Sequence, residues 1–213
     1  MNSRVLDGPP AVAEAVADLV MESLRGGARS LVLAGGTTPQ HAYRLLRPGP
    51  EWSRVAVLFG DERCVAPDDA ESNYAAAAAD LLGRVHPASV HRMPGELGPD
   101  EAARCYEGIV RAYSPLDLVL LGMGPDGHTA SLFPGAPEVG ARGFTTGVRN
   151  APKPPPDRVS LTLPALAMAR RVVFIVTGED KADAVRLASR GEVPSGMIPG
   201  AEYLLDRAAA SRL

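Results

Sequence analysis

The sequence predicts an α/β fold, with a mostly parallel sheet that is covered by helices on both faces. Three observations predict it. Short apolar runs alternate along the chain with segments of helical periodicity. Most of these runs are continuously apolar, as expected for strands buried on both sides. Three of them end in turns that contain glycine and polar side chains. Such turns, at the carboxyl ends of parallel strands, are where this class of fold binds its ligands.

The first half of the chain alternates helix and strand. The first helical segment stops at Gly26-Gly27, a usual C-terminal signal, and the next one resumes after Pro39. Residues 64 to 71 form a polar loop, compatible with a solvent-exposed lid. The predicted elements are a helix over 10–25, a strand over 30–34, a helix over 39–46, a strand over 55–59 and a helix around 74–82.

The second half continues the alternation. Its predicted elements are a helix over 102–113 and strands over 116–121, 159–163 and 171–177, then a helix near 180–189 and a last strand near 202–205. The proline-rich stretch at 151–156 is too short for a linker between domains, and we interpret it as a rigid surface loop. We therefore expect residues 1–213 to form a single domain.

Composition and charge exclude several classes of partner. The 213 residues are 46% hydrophobic, and 22 basic and 25 acidic residues leave a net charge of −3 without a basic stripe. Twenty of the basic residues are arginine, a bias to which we assign no function. Cys64 and Cys105 lack the spacing of a zinc site or a disulfide framework, and neither a signal peptide nor a membrane-spanning run is recognisable. We expect a soluble cytoplasmic protein with no nucleic-acid, membrane or obligate protein partner.

The first turn, Gly35-Gly36-Thr37-Thr38, precedes a predicted helix. Unpaired backbone N–H groups and the helix dipole make such a position favourable for an anion such as phosphate. The turn matches neither of the two common phosphate-binding patterns. It could equally be a tight turn that needs glycine for its backbone dihedrals.

The second turn places Asp61, Glu62 and Arg63 together. Arg63 could hold an anionic or oxyanionic group, and Asp61 could accept a proton or bind sugar hydroxyls. A solvated charge cluster at the end of a strand is the alternative. Cys64 has no partnering base nearby in the sequence, so we do not expect it to be a nucleophile.

The third turn contains Asp126 and His128, two residues apart between glycines. The carboxylate could orient the imidazole and leave its other nitrogen free as a general base near pH 7. Ser131 lies three residues further on, and a Ser/His pair is conceivable. A hydroxyl at that spacing more often makes a local hydrogen bond.

Together these turns resemble the 6-phosphogluconolactonase family, within the glucosamine-6-phosphate isomerase/6-phosphogluconolactonase superfamily. The motifs of that family occur here in order and span nearly the whole chain. They are AGGTTP at 34–39, GDER at 60–63, LDLVLLGMGPDGHTASLFPG at 116–135, PKPPPDRVSLTLPAL at 152–166 and YLLDRAAA at 203–210.

The resemblance implies a Rossmann-like fold and a carboxylic ester hydrolase that converts 6-phospho-D-glucono-1,5-lactone to 6-phospho-D-gluconate in the oxidative pentose phosphate pathway. It implies no metal and no cofactor. By the same resemblance, His128 would activate water, with Asp126 assisting it. Arg63 would stabilise the substrate or the oxyanion, and Asp61 would lie near the sugar hydroxyls. Binding of the 6-phosphate would fall to Gly35, Gly36, Thr37, Thr38, Lys153 and Arg158.

Two alternatives remain. Glucosamine-6-phosphate deaminase resembles this chain, but that family places a Glu five residues after the histidine, where this chain has Phe133. A sugar-phosphate sensor without catalysis could use the same fold. The presence of both Asp126 and His128 disfavours that reading.

Overall fold

The computed structural model describes all 213 residues, which form a seven-stranded sheet and a three-stranded sheet with helices packed around them. The strands are β1 (Asn2–Leu6), β2 (Ser30–Leu33), β3 (Ala56–Phe59), β4 (Asp61–Arg63), β5 (Ser89–Val90), β6 (Leu118–Leu121), β7 (Thr145–Val148), β8 (Arg158–Leu161), β9 (Val172–Val176) and β10 (Glu202–Asp206). The α-helices are α1 (Pro9–Arg25), α2 (Thr37–Leu45), α3 (Asn73–Ala77), α4 (Pro99–Tyr113), α5 (Leu163–Ala167) and α6 (Ala182–Ser189).

The large sheet is entirely parallel and confirms the predicted fold class. Its strand order is β1-β10-β9-β6-β2-β3-β5. After β2 the chain continues to β3 on one side, and β6 later pairs with β2 on the other side. The order therefore reverses next to β2, and a crevice opens there between neighbouring strand ends.

Burial explains why the central strands are continuous apolar runs. Every residue of β2, β3, β6 and β9 is buried, so both faces of the sheet are covered. A hydrophobic cluster of 53 buried residues joins these strands to α1, α2, α4 and α6. This continuous core supports a single domain, which remains a prediction. None of the helices has the length and apolar character needed to cross a membrane.

The local signals placed most elements correctly. Helix α1 begins at Pro9 and ends before Gly26, as the proline and glycine signals indicate. Helix α2 begins at Thr37, two residues before the predicted start, because Gly36 ends the turn with a positive φ of 102°. The predicted helix around 74–82 is present as α3, followed by one π-helical turn over Ala78–Leu82.

Two sequence expectations need correction, and three strands were not predicted. Asp61–Arg63 is not a turn, because it forms β4 and pairs antiparallel with β8. The predicted strand over 159–163 ends at Leu161, since the Thr162 hydroxyl accepts a hydrogen bond from Ala165 N–H and caps α5. Strands β1, β5 and β7 were not predicted. They are short and at least partly exposed, so they lack an apolar run.

Candidate active site

The carboxyl ends of four neighbouring strands surround a cavity of about 280 Å³. The strands are β9, β6, β2 and β3, and the segment that follows each of them contributes to the wall. The sequence-predicted site residues that line the cavity are Gly35, Gly36, Asp61, Arg63, His128, Lys153 and Arg158. The structure thus brings together residues that are up to 123 positions apart in the sequence, from Gly35 to Arg158.

His128, which lines the cavity, forms a close pair with Asp126. Nδ1 of His128 lies 2.5 Å from Oδ1 of Asp126, and the backbone N–H of His128 also donates to that carboxylate at 3.3 Å. Because a carboxylate only accepts hydrogen bonds, Nδ1 carries the proton when the ring is neutral, and Nε2 is left with a free lone pair. Asp126 itself is not among the lining residues, so it acts on the cavity through His128.

Partial burial favours the neutral form of His128, which can accept a proton. Removal from water lowers the pKa of its imidazole, and the charge and hydrogen bond of Asp126 offset this only in part. The Phe133 ring contributes to the desolvation, with its centroid 4.5 Å from that of the histidine. Desolvation raises the pKa of Asp126, but its interactions with His128 outweigh that effect and the net direction is downward, so the carboxylate stays ionised.

Glycine makes this pair possible. A Cβ on Gly124 would lie 2.0 Å from Nδ1 of His128 and 2.5 Å from Oδ1 of Asp126, so no other residue fits without moving the pair. Gly127 has a φ of +85°, and a Cβ there would strike Val193. Backbone hydrogen bonds from Gly124 N–H to His128 O and from Gly127 N–H to Gly124 O then close the turn.

Asp61 is held in place from both sides. Its Oδ2 accepts a 2.6 Å hydrogen bond from the Ser131 hydroxyl, and its Oδ1 accepts one from Nδ2 of Asn73 at 3.2 Å. Asp61 and Glu62 are buried, so the two acidic residues of this cluster are not solvated. Ser131 is fully buried and donates to Asp61, an arrangement that does not favour it as a nucleophile paired with His128.

Arg63 lies between the cavity and the polar loop. Its Nη1 donates to the carbonyl of Glu71 at 2.5 Å, which ties the guanidinium to the end of residues 64–72. Its Nε is buried and has no hydrogen-bond partner. Burial also raises the pKa of the neighbouring Cys64 thiol to about 11, so a thiolate is disfavoured there.

The residues predicted to bind phosphate separate into two groups. Gly35, Gly36, Lys153 and Arg158 line the cavity, whereas Thr37 and Thr38 do not. The Thr38 hydroxyl instead pairs with that of Thr177 at 2.9 Å.

Some of the N–H donors of Arg158 form hydrogen bonds within the protein. Its Nε and Nη2 donate to the main-chain carbonyls of Lys153, Pro154 and Pro155, at 3.0–3.3 Å. Arg158 therefore also holds the segment that carries Lys153.

Sequence reasoning missed Asn73 and Lys181, both of which line the cavity. Lys181 follows β9, at the opposite end of the row of strands from Asp61. One signal was available: the chain has only two lysines, Lys153 and Lys181, and both are at this cavity. No group of three or more His, Cys, Asp and Glu side chains is arranged to hold a metal ion.

Comparison with known proteins gives consistent matches over nearly the whole chain. The family model described as glucosamine-6-phosphate isomerases/6-phosphogluconolactonase matches residues 9–206. The 6-phosphogluconolactonase of Mycobacterium leprae is 39% identical over 95% of this chain and 93% of its own length. That of Streptomyces coelicolor is 38% identical, over 95% and 89%.

Solved structures show the same architecture. A crystal structure of 6-phosphogluconolactonase from Thermotoga maritima superposes with a TM-score of 0.88 at 26% identity, over 96% of this chain and 99% of that one. A monomeric glucosamine-6-phosphate deaminase superposes with a TM-score of 0.86 at 20% identity, over the full length of both chains. The second likeness shows the fold alone.

Proposed function

This chain belongs to the glucosamine-6-phosphate isomerase/6-phosphogluconolactonase family, and we propose that it hydrolyses 6-phospho-D-glucono-1,5-lactone to 6-phospho-D-gluconate, with His128 activating the attacking water. The observation that carries the mechanism is the hydrogen-bonded pair of the partly buried His128 and Asp126, at a cavity that is also lined by Arg63, Lys153, Arg158 and Lys181. A lactone is an activated ester, so one positioned base and one oxyanion stabiliser suffice.

The first step is attack by water on the lactone carbonyl carbon. Nε2 of His128 accepts one proton from this water as the oxygen–carbon bond forms, and the carbonyl oxygen takes up the electron pair. The Asp126 carboxylate stabilises the imidazolium through Nδ1–H. Arg63, which lines the cavity, stabilises the negative charge that develops on the carbonyl oxygen.

The second step opens the ring. The tetrahedral intermediate expels the ring oxygen, which takes the proton from Nε2 and becomes the C5 hydroxyl, while the new carboxylic acid ionises. His128 returns to its neutral form. No covalent intermediate with the chain is needed, which agrees with the burial of Ser131 and the raised pKa of Cys64.

The 6-phosphate binds at the cationic part of the cavity. Lys153, Lys181 and the turn at Gly35-Gly36 present positive charge or backbone donors toward it, and Arg158 fixes the Lys153 segment. The phosphate does not itself react, so the energy of binding it is used to hold the lactone in position. In that position the lactone carbonyl faces His128.

Phe133 favours hydrolysis over isomerisation. The deaminase family places a Glu at this position, and here the Phe133 ring packs on His128 with centroids 4.5 Å apart. A carboxyl group that could assist sugar ring opening is therefore replaced by an apolar ring against the base. We propose in addition that the chain acts in the oxidative pentose phosphate pathway, in the cytoplasm and without an obligate protein partner.

The role of the two lysines can be tested through substrate choice. We predict that wild type accelerates hydrolysis of the phosphorylated lactone far more than that of D-glucono-1,5-lactone. Lys153→Ala and Lys181→Ala should each raise KM for the phosphorylated lactone by roughly 10- to 100-fold, since each removes a charged contact. The measurement is a continuous assay of acid release, corrected for the spontaneous rate.

Arg111→Ala is the matched control, because it removes one positive charge from an exposed pair with Glu107 on α4. It should leave KM unchanged. Equal rates on the two lactones, or lysine variants that behave like Arg111→Ala, would contradict the proposed phosphate site. Binding of 6-phosphogluconate without any turnover would favour the sensor alternative.

A further inference from the structure

Asn73 is a buried polar residue that lines the cavity and has no role in the proposed hydrolysis steps. It is the first residue of α3, is 5% exposed, and lines the cavity together with Gly35 and Asp61. The buried Glu62 carboxylate fixes the backbone here by accepting hydrogen bonds from the N–H groups of Asn73 at 2.7 Å and Tyr74 at 2.8 Å. The position of Asn73 is therefore well determined.

The orientation of its amide is determined as well. Nδ2 of Asn73 donates to the main-chain carbonyl of Asp61 at 2.9 Å and to Oδ1 of the same residue at 3.2 Å. Both partners can only accept, so exchanging the amide nitrogen and oxygen would set oxygen against two oxygens. The NH2 group must face Asp61, and Oδ1 must be the atom on the other side.

Oδ1 of Asn73 is a free acceptor that the cavity can reach. It accepts no hydrogen bond from the chain. The side-chain polar atoms that lack a partner and are also inaccessible to solvent are Arg63 Nε and Ser195 Oγ. Oδ1 of Asn73 is not one of them, so it is accessible. It lies 2.0 Å from the point where a Cβ on Gly35 would stand. Glycine at position 35 thus leaves the space that this oxygen occupies.

The partial negative charge of Asn73 Oδ1 determines which group of a ligand it can bind. A carbonyl oxygen next to the Asp61 carboxylate repels phosphate and needs a hydrogen-bond donor, which a sugar hydroxyl supplies. The cationic groups that suit phosphate, Lys153 and Lys181, belong to other segments of the wall. We propose that Asn73 is a specificity-determining residue whose Oδ1 accepts a hydrogen bond from one hydroxyl of the sugar lactone. This inference rests on the proposed function.

Comparison with Ser131 separates two roles of Asn73, which are positioning Asp61 and accepting a hydrogen bond from the substrate. Both Asn73 and Ser131 donate to Asp61, one to each carboxylate oxygen, but Ser131 is fully buried and is not part of the cavity wall. Ser131 can only position Asp61. Ser131→Ala therefore reports the loss of one donor to Asp61, whereas Asn73→Ala loses that donor and the acceptor for substrate.

The experiment is calorimetric titration of 6-phosphogluconate and of its analogues lacking the hydroxyl at C2, C3 or C4. Wild type should bind one of these analogues about 3- to 10-fold more weakly than 6-phosphogluconate, as expected for one hydrogen bond. Ser131→Ala should keep that ratio even if all affinities fall. In Asn73→Ala the ratio should shrink to within about twofold, because the acceptor is gone.

An unchanged ratio in Asn73→Ala for all three analogues overturns the proposal, and so does a wild type that binds all four compounds equally. If Asn73→Ala does not fold by thermal unfolding, Asn73→Ser replaces it, since serine is tolerated near a helix start. Hydrolysis of the parent lactone is measured on the same samples. A wild type that binds but does not hydrolyse overturns the proposed function alone, and one that neither binds nor hydrolyses overturns both.

Discussion

His128 combines two opposing influences on one imidazole. Burial beside Phe133 lowers its pKa, while the Asp126 carboxylate 2.5 Å away raises it, and burial dominates. The result is a ring that is neutral near pH 7, with its accepting nitrogen unoccupied. Sequence spacing alone predicted the pair, because two residues on one glycine-containing turn cannot lie far apart. Sequence spacing could not predict that Phe133 packs against His128, because this contact depends on the folded path of the residues that follow the histidine.

The pH dependence of kcat follows from this balance. Since the His128 pKa lies below the ordinary value of about 6.5, we predict that kcat is flat near pH 7 and falls only below about pH 6.5. Asp126→Asn removes the interaction that raises the pKa, so the acid limb should move to lower pH. It should also lower kcat by on the order of 10²-fold through misorientation of the ring.

The substrate phosphate also titrates near pH 6, but it does so in both proteins, and the difference between the two profiles isolates His128. An acid limb in Asp126→Asn that lies at higher pH than in wild type would show that the carboxylate does not act on His128 as described.

At the scale of elements, the turns after the strands do most of the positioning. Gly124 lies so close to the His128–Asp126 pair that a Cβ would be 2.0 Å from the ring. We predict that Gly124→Ala loses nearly all activity while retaining the fold. Gly108→Ala is the control. Gly108 is exposed on α4 with nothing within 4 Å of its Cβ position, so alanine there should keep activity and stabilise by about 0.5–1 kcal/mol.

Activity and thermal unfolding of the two variants check this prediction. Equal activity in Gly124→Ala and Gly108→Ala would mean that the turn can relax without disturbing the pair.

The elements also show where sequence reasoning stops. Buried parallel strands are recognisable in a sequence as apolar runs. The ends of β2, β3, β6 and β9 were therefore predicted to within one or two residues. Strand β4 could not be recognised, because its sequence is Asp61-Glu62-Arg63 and its pairing partner lies about 100 residues away. Asn73 was missed for the same reason, since its contacts with Gly35 and Asp61 exist only after α3 has packed.

At the scale of the whole molecule, the charge distribution matters more than the net charge of −3. The cavity wall contains four basic residues and a single acidic one: Arg63, Lys153, Arg158 and Lys181 against Asp61. A crevice with this lining attracts a phosphorylated substrate although the protein as a whole is acidic. The parallel sheet makes the arrangement possible, because it brings the four contributing strand ends to one edge.

The central claim is that His128 is the general base for hydrolysis of the phosphorylated lactone. The most direct test generates this lactone in situ with glucose-6-phosphate dehydrogenase and measures 6-phosphogluconate formation above the spontaneous rate. His128→Asn is compared with wild type and with His86→Asn, which alters an exposed histidine outside the cavity. We predict a loss of about 10²- to 10⁴-fold in His128→Asn and none in His86→Asn. Acceleration in His128→Asn equal to that of wild type would contradict the account.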